Sequence, residues 1–357
     1  MVIKIIKVKI LITAVFITLT ALAAGIAVTY GARHRDECSE FNIGEVFYDV
    51  PAAAAGEHIK WVDFTPTYAV LKKTLELDVK SHTADAGVKL DWIELLAYLG
   101  AKYGGEYSHY KESDLNALVK KLNDGQSIED LTADMKHYNY YHEAYTAVLA
   151  EFVGAYRVEA PLEDGSAEWR ERYGLKVFSP IAKGYYYSDY DDFGAGRAYG
   201  YRRRHLGHDL MGSVGTPIIA IESGIVEELG WNQYGGWRIG IRSYDTKRYY
   251  YYAHLRKNRP YHESVKIGET VKAGDVIGYM GRTGYSVKEN VNNINETHLH
   301  LGLQLIFDES QKEGNNEIWI DVYPITRLLL SNKSAVAKDE NKEYNRLYGF
   351  EELKYED

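Results

Sequence analysis

A single cysteine, Cys38, stands in a chain of 357 residues, so no intramolecular disulfide can form and no cysteine-rich metal cluster is available. Any metal site has to be assembled from histidine and carboxylate. Cys38 is also a poor lipid acceptor, because Arg35, Asp36 and Glu37 before it lack the small apolar run that lipoprotein processing requires. Excess positive charge is missing too. The formal net charge of -9 argues against general adhesion to nucleic acid or to anionic membrane surfaces, and no nucleic-acid partner is expected. Phenylalanine is scarce, 9 against 32 tyrosines, so the aromatic content is mostly amphipathic and suits polymer-binding surfaces. No G-x-S-x-G elbow occurs, which leaves no obvious serine nucleophile.

Charge is also absent from Ile10 to Tyr30. A helix of about 21 residues at roughly 1.5 Å each spans about 31 Å, the thickness of a hydrocarbon core. Lys4, Lys7 and Lys9 precede it, so a single-pass anchor with its N-terminus in the cytoplasm and the remainder extracytoplasmic is expected. The competing reading is secretion after signal cleavage at the A-x-A pattern of Ala21–Ala23. The apolar run continues through Ile26 and Val28, which favours retention.

A linker over 35–60 leads to helical periodicity. Leu115, Leu118, Val119 and Leu122 form one apolar face, Trp92, Leu95, Leu96 and Leu99 another, and Ser127 with Asp130 marks a helix start. This predicts a small bundle over 61–157, either a docking module for a cell-envelope protein or a spacer. Tyr138, Tyr140, Tyr141 and Tyr145 fit a sugar platform or, more commonly, a core edge. Pro161 and Gly165 break the pattern at 158–175, read as a second linker. Beyond it, Thr216–Glu222, Trp237–Tyr244, Arg248–Leu255, Val276–Met280 and Thr297–Phe307 read as strands between glycine turns. Residues 331–357 read as a charged tail.

Three of the β-type segments carry histidine. In His205-Leu206-Gly207-His208-Asp209 a histidine and a carboxylate lie four apart, with Gly207 allowing a tight backbone. In Thr297–Leu305 strict alternation puts His298, His300 and Gln304 on one face and four leucines on the other. The same alternation in Tyr249–Leu255 groups Tyr250, Tyr252 and His254.

The order HxGxD, AHL after a tyrosine-rich strand, the stretch VKAGDVIGYMGRTG and HLH resembles the LytM/lysostaphin-type zinc metallopeptidases, peptidoglycan endopeptidases of peptidase family M23, over about 176–330. The resemblance implies an antiparallel all-β peptidase domain of the duplicated-hybrid-motif type. It implies Zn2+ on His205, Asp209 and His300, with His254 and His298 as the catalytic pair, and peptidoglycan peptides as substrate. The expected architecture is therefore α+β and multidomain: transmembrane anchor (1–34), helical bundle, then peptidase domain (176–330). Some relatives of this type are silent scaffolds in division or sporulation assemblies, the alternative reading. Scaffolds commonly lack site residues, and here all five positions are filled.

Other signals carry less. Gly278, Gly281 and Gly284 have phosphate-loop spacing but no helix follows, so no nucleotide is expected. Arg202–Arg204 could attract carboxylates of a peptide stem, and Asp189, Asp191 and Asp192 a cation, although both sets read first as solvated surface. His208 points away from Asp209 by strand alternation. The insertion-like stretch Tyr285–Glu296 lies beside the expected cleft.

Overall fold

The computed structural model describes residues 59–353 apart from 84–86, 200 and 313–315. Among these residues five α-helices come first: α1 (Tyr68–Thr83), α2 (Trp92–Tyr103), α3 (Glu112–Asn123), α4 (Ile128–Thr132) and α5 (Tyr138–Leu149). Their limits follow local chemistry. The Asp91 carboxylate accepts from the Ile93 and Glu94 amides at the start of α2, and Gly104, at φ 60°, closes it in the left-handed conformation. Ser127 Oγ caps α4 through the Asp130 amide at 3.1 Å. Leu95, Leu96, Leu99, Leu115 and Leu118 are buried, as the two apolar stripes require. Tyr145 is fully buried, and Tyr141 packs against Gly100 and Gly105, so these rings fill the bundle.

The strands follow in order: β1 (Val153–Pro161), β2 (Ala167–Leu175), β3 (Gly196–Tyr199), β4 (Tyr201–Arg204), β5 (His208–Met211), β6 (Pro217–Ile219), β7 (Gly224–Asn232), β8 (Gly236–Ser243) and β9 (Arg248–Ala253). They continue with β10 (Thr270–Val271), β11 (Val276–Tyr279), β12 (His298–Leu305), β13 (Ile318–Trp319), the short helix α6 (Tyr323–Leu329), β14 (Val336–Lys338), β15 (Tyr344–Arg346) and β16 (Phe350–Glu352). The main sheet is antiparallel in the order β10-β7-β8-β9-β12-β13, with β5 paired to the first half of β12. Leu299, Leu301, Leu303 and Leu305 turn to one face of β12 and are buried in a core continuous with that of the helices.

Three expectations need correction. Among the described residues no helix is long and apolar enough to cross a membrane: α1, the longest at 16 residues, carries Lys72, Lys73, Glu76, Asp78 and Lys80. The span expected over 10–30, like Cys38, lies outside the described residues, and the fold class becomes an all-β domain with a helical region before it. Residues 158–175 are no linker. They belong to the β1–β2 hairpin, whose register runs from Val153↔Leu175 to Pro161↔Ala167 with Gly165 in the turn. Nor is 331–357 simply a tail, because β14 and β15 pair and β16 adds to β1 through Val158↔Phe350, where the Phe350 ring is buried.

Candidate active site

Register brings the candidate donors together. His300 stands opposite Asp209 across β5–β12 and opposite Ala253 across β9–β12. Directly opposed residues share a face, so the Asp209 carboxylate and the His300 imidazole point into the same cleft. His205 directly follows the end of β4, and Leu206 and Gly207 lead from it into β5. His205 Nε2 is 2.9 Å from His300 Nδ1 and 3.0 Å from Asp209 Oδ1, and His300 Nδ1 is 3.0 Å from the same oxygen. Donors on one tetrahedral zinc, with bonds of about 2.0–2.2 Å, lie roughly 3.3 Å apart, so this triangle and its hard-and-borderline donor set fit that ion.

The glycine between them works by close approach. A Cβ on Gly207 would sit 2.6 Å from His300 Cε1, 2.7 Å from its Nε2 and 2.7 Å from the Leu301 carbonyl oxygen. Gly207→Ala is expected to displace the His300 ring and weaken metal binding about 10- to 100-fold, the range seen when the supports of a ligand are disturbed. Competition against a chromophoric chelator measures this; affinity within threefold of the parent would contradict the packing argument.

His254 reaches the cleft by a route that alternation does not foresee. Tyr250 and Tyr252 pack into the core, whereas Tyr249 and Tyr251 line the cleft, so a continued strand would turn His254 inward. Instead His254 adopts φ 62°, leaves the strand and swings to the cleft side. Its Nδ1 donates to the Thr283 carbonyl at 2.9 Å, and His298 Nδ1 donates to the Glu296 carbonyl at 2.9 Å. Both rings therefore carry the proton on Nδ1 when neutral and keep Nε2 unprotonated. Their centres are 4.7 Å apart, and His298 Nε2 is 3.7 Å from Asp209 Oδ1. Burial, with His298 and His300 as neighbours, holds the His254 pKa well below the usual histidine value.

The acidic segment read as solvated surface is partly internal. Asp192 is 3% exposed: its Oδ2 accepts from Arg197 at 2.7 Å and contacts His205 Nδ1 at 3.1 Å, and its Oδ1 contacts His208 Nδ1 at 3.3 Å. Asp189 takes the other nitrogen of His208 at 3.0 Å. His208 is fully buried on the far side of β5 from Asp209, clear of the donor triangle. Arg197 also reaches Asp209 Oδ2 at 3.1 Å, leaving Oδ1 to the imidazoles. Burial opposes charge on His205, but hydrogen bonds to Asp192 and Asp209 outweigh it and raise its pKa to about 9. Arg197 carried no sequence signal, and Asp192 was read only as part of a solvated acidic cluster, since neither belongs to a motif and their contacts exist only after folding.

The cleft encloses about 770 Å³ and is lined by His205, Asp209, His254, His298 and His300 together with Tyr234, Tyr251, Tyr285, Arg203 and Trp319. An all-β cleft with two imidazoles and a carboxylate converging on one point, flanked by two further histidines, defines a metal-dependent hydrolase type of centre. Residues 203–313 match peptidase family M23. It is 31% identical over 191 residues to the L-Ala–D-Glu endopeptidase of Bacillus subtilis, covering 53% of this chain and 52% of that protein. Lysostaphin of Staphylococcus staphylolyticus is 36% identical over 136 residues, 38% of this chain and 24% of the relative. Thus the chain spans about half the length of the first of these curated relatives and a quarter of the second. Among solved structures, a putative glycyl-glycine endopeptidase lytM from Ruminococcus gnavus aligns over 75% of this chain and 90% of its own, at 25% identity and TM-score 0.49.

Proposed function

We propose that this protein is a zinc-dependent metalloendopeptidase that cleaves peptide bonds in peptidoglycan stem or cross-bridge peptides. The observation that carries the reading is the triangle of His205, Asp209 and His300 donors with mutual distances of 2.9–3.0 Å, beside two histidines whose Nδ1 atoms are tied to backbone carbonyls. His205, Asp209 and His300 hold the ion. When bound, zinc supplies a Lewis acid that makes water nucleophilic near neutral pH. His298, the nearer of the two to Asp209, takes a proton from the attacking water at Nε2. His254, uncharged before reaction, assists the proton's passage to the leaving amine, and its low pKa favours rapid release. The substrate class is supported by the similarity to the B. subtilis L-Ala–D-Glu endopeptidase and to lysostaphin. Peptidoglycan lies outside the cytoplasmic membrane, so this function places the domain there.

Release of new amines from purified peptidoglycan by the full chain tests the proposal. Zinc-dependent release is expected, abolished by chelation, restored by zinc, and reduced at least about 100-fold by His298→Ala, the lower range for loss of a general base. No release from a zinc-loaded protein would instead favour a scaffold.

A further inference from the structure

Five basic side chains other than histidine line the cleft, and three are neutralised within the protein. Arg197 pairs with Asp192 and Asp209, Arg238 with Glu228, and Lys312 Nζ lies 3.2 Å from Glu227. Arg203 and Arg204 have no carboxylate within ion-pair distance among the described residues. Arg204 is exposed. Arg203 is held: its Nη2 donates to the Tyr285 hydroxyl at 2.8 Å, and its guanidinium carbon lies 5.0 Å from the Tyr234 ring centre and 5.3 Å from that of Tyr285. Its Nε is buried without a hydrogen-bond partner.

This arginine stands next to the chemistry. It lies two residues before His205, and the Tyr285 ring that holds it is centred 6.0 Å from the His254 ring. Of the acidic groups on the same wall, Asp209 belongs to the donor triangle, Glu228 is paired, and Glu296 and Glu317 are exposed. An unpaired cation fixed between two aromatic rings, with N–H donors to spare, has already lost most of its rotamer freedom. Such a group binds a planar carboxylate at little further entropic cost. Tyr285 opens the insertion-like stretch Tyr285–Glu296, so that stretch supplies half of the clamp.

We propose that Arg203, clamped by Tyr234 and Tyr285, is a subsite for a free carboxylate on the substrate peptide beside the scissile bond. This assignment rests on the endopeptidase reading and narrows its substrates to anionic peptides. Two soluble peptidoglycan peptides that differ only in a glutamyl carboxylate, free in one and amidated in the other, test it. Cleavage is followed with the zinc-loaded full chain, and binding by calorimetry with its His298→Ala variant, so that affinity is read independently of turnover. The free acid is expected to be preferred about 10- to 100-fold in kcat/KM, mostly through KM, and by a similar factor in Kd. Arg203→Gln should bring both ratios within about threefold of one, and Arg203→Lys should keep only part of the preference. Unchanged near-ultraviolet dichroism checks that each variant folds. Cleavage with no preference, or a preference that survives in a folded Arg203→Gln, overturns the subsite and leaves the endopeptidase standing. A binding preference without cleavage upholds the subsite and removes the endopeptidase. Neither binding nor cleavage overturns both.

Discussion

Asp209→Ala is expected to strip the metal and to lower peptide release at least about a thousandfold, well beyond the roughly 10- to 100-fold that loss of an outer partner costs. Asp209 Oδ1 is the shared neighbour of His205 Nε2 and His300 Nδ1, both at 3.0 Å, and its Oδ2 faces Arg197 at 3.1 Å. Removing the carboxylate deletes one donor and leaves the Arg197 charge unopposed on that side, so a cation entering the site meets repulsion where it met a counter-charge. Asp209→Asn separates the two contributions, since the amide keeps the shape and loses the charge. Metal content after gel filtration and amine release are the readouts; a variant that retains both would remove Asp209 from the centre.

The proton on His205 gives the same site a pH signature. Its pKa of about 9 lies above the ordinary histidine value of 6.5, so in the metal-free protein it contributes stability that is complete below about pH 6.5 and lost as pH rises through 9. Metal binding runs the other way. The ligand must be deprotonated, so zinc affinity should climb by up to tenfold per unit from neutral pH and level off above about 9.

Much of the site was legible because its residues sit in short segments with strong local geometry. HxGxD, HLH and AHL each compress a constraint into three to five residues, and alternation alone separates the leucines of β12 from its histidines. His254 shows where that reasoning stops. A period of two places it under the sheet, and only a backbone turn to φ 62° after Ala253 brings it up, a change written in the tertiary environment rather than in the heptapeptide. The Asp192 carboxylate was assigned to the surface, and Arg197 passed over, for a related reason: a buried acid and a solvated one have the same letter. The β1–β2 hairpin was lost because its outer residues, Glu168 to Arg172, are exposed on both faces, so no hydrophobic period marks the strand. The C-terminal strands were lost because charge dominates the segment while a few residues such as Phe350 do the packing.

The largest effect on stability is expected far from the metal, at Arg248→Ala. Arg248 is fully buried, with Nε and Nη2 each 2.9 Å from the two oxygens of Glu222, Nη2 2.9 Å from Asp245, and Nη1 donating to the Ala147 carbonyl at 2.9 Å. That last bond joins β9 to the end of α5, so one side chain ties the helical region to the sheet that carries His254. Truncation would leave Glu222, itself 4% exposed, with the Tyr250 hydroxyl at 2.6 Å as its remaining neutral support. Breaking a buried pair from one side costs about 3–5 kcal/mol, because the surviving charge is left without compensation. For a chain of this size, at about 2.1 cal/mol/K of unfolding entropy per residue, that corresponds to a fall in Tm of roughly 4 to 7 °C. The double replacement Arg248→Met with Glu222→Gln should cost less than Arg248→Ala alone, since it removes both charges together. Denaturant unfolding of the three proteins decides the matter: a single variant within about 1 kcal/mol of the parent, or a double variant worse than the single, would show that the pair is not what holds helix to sheet.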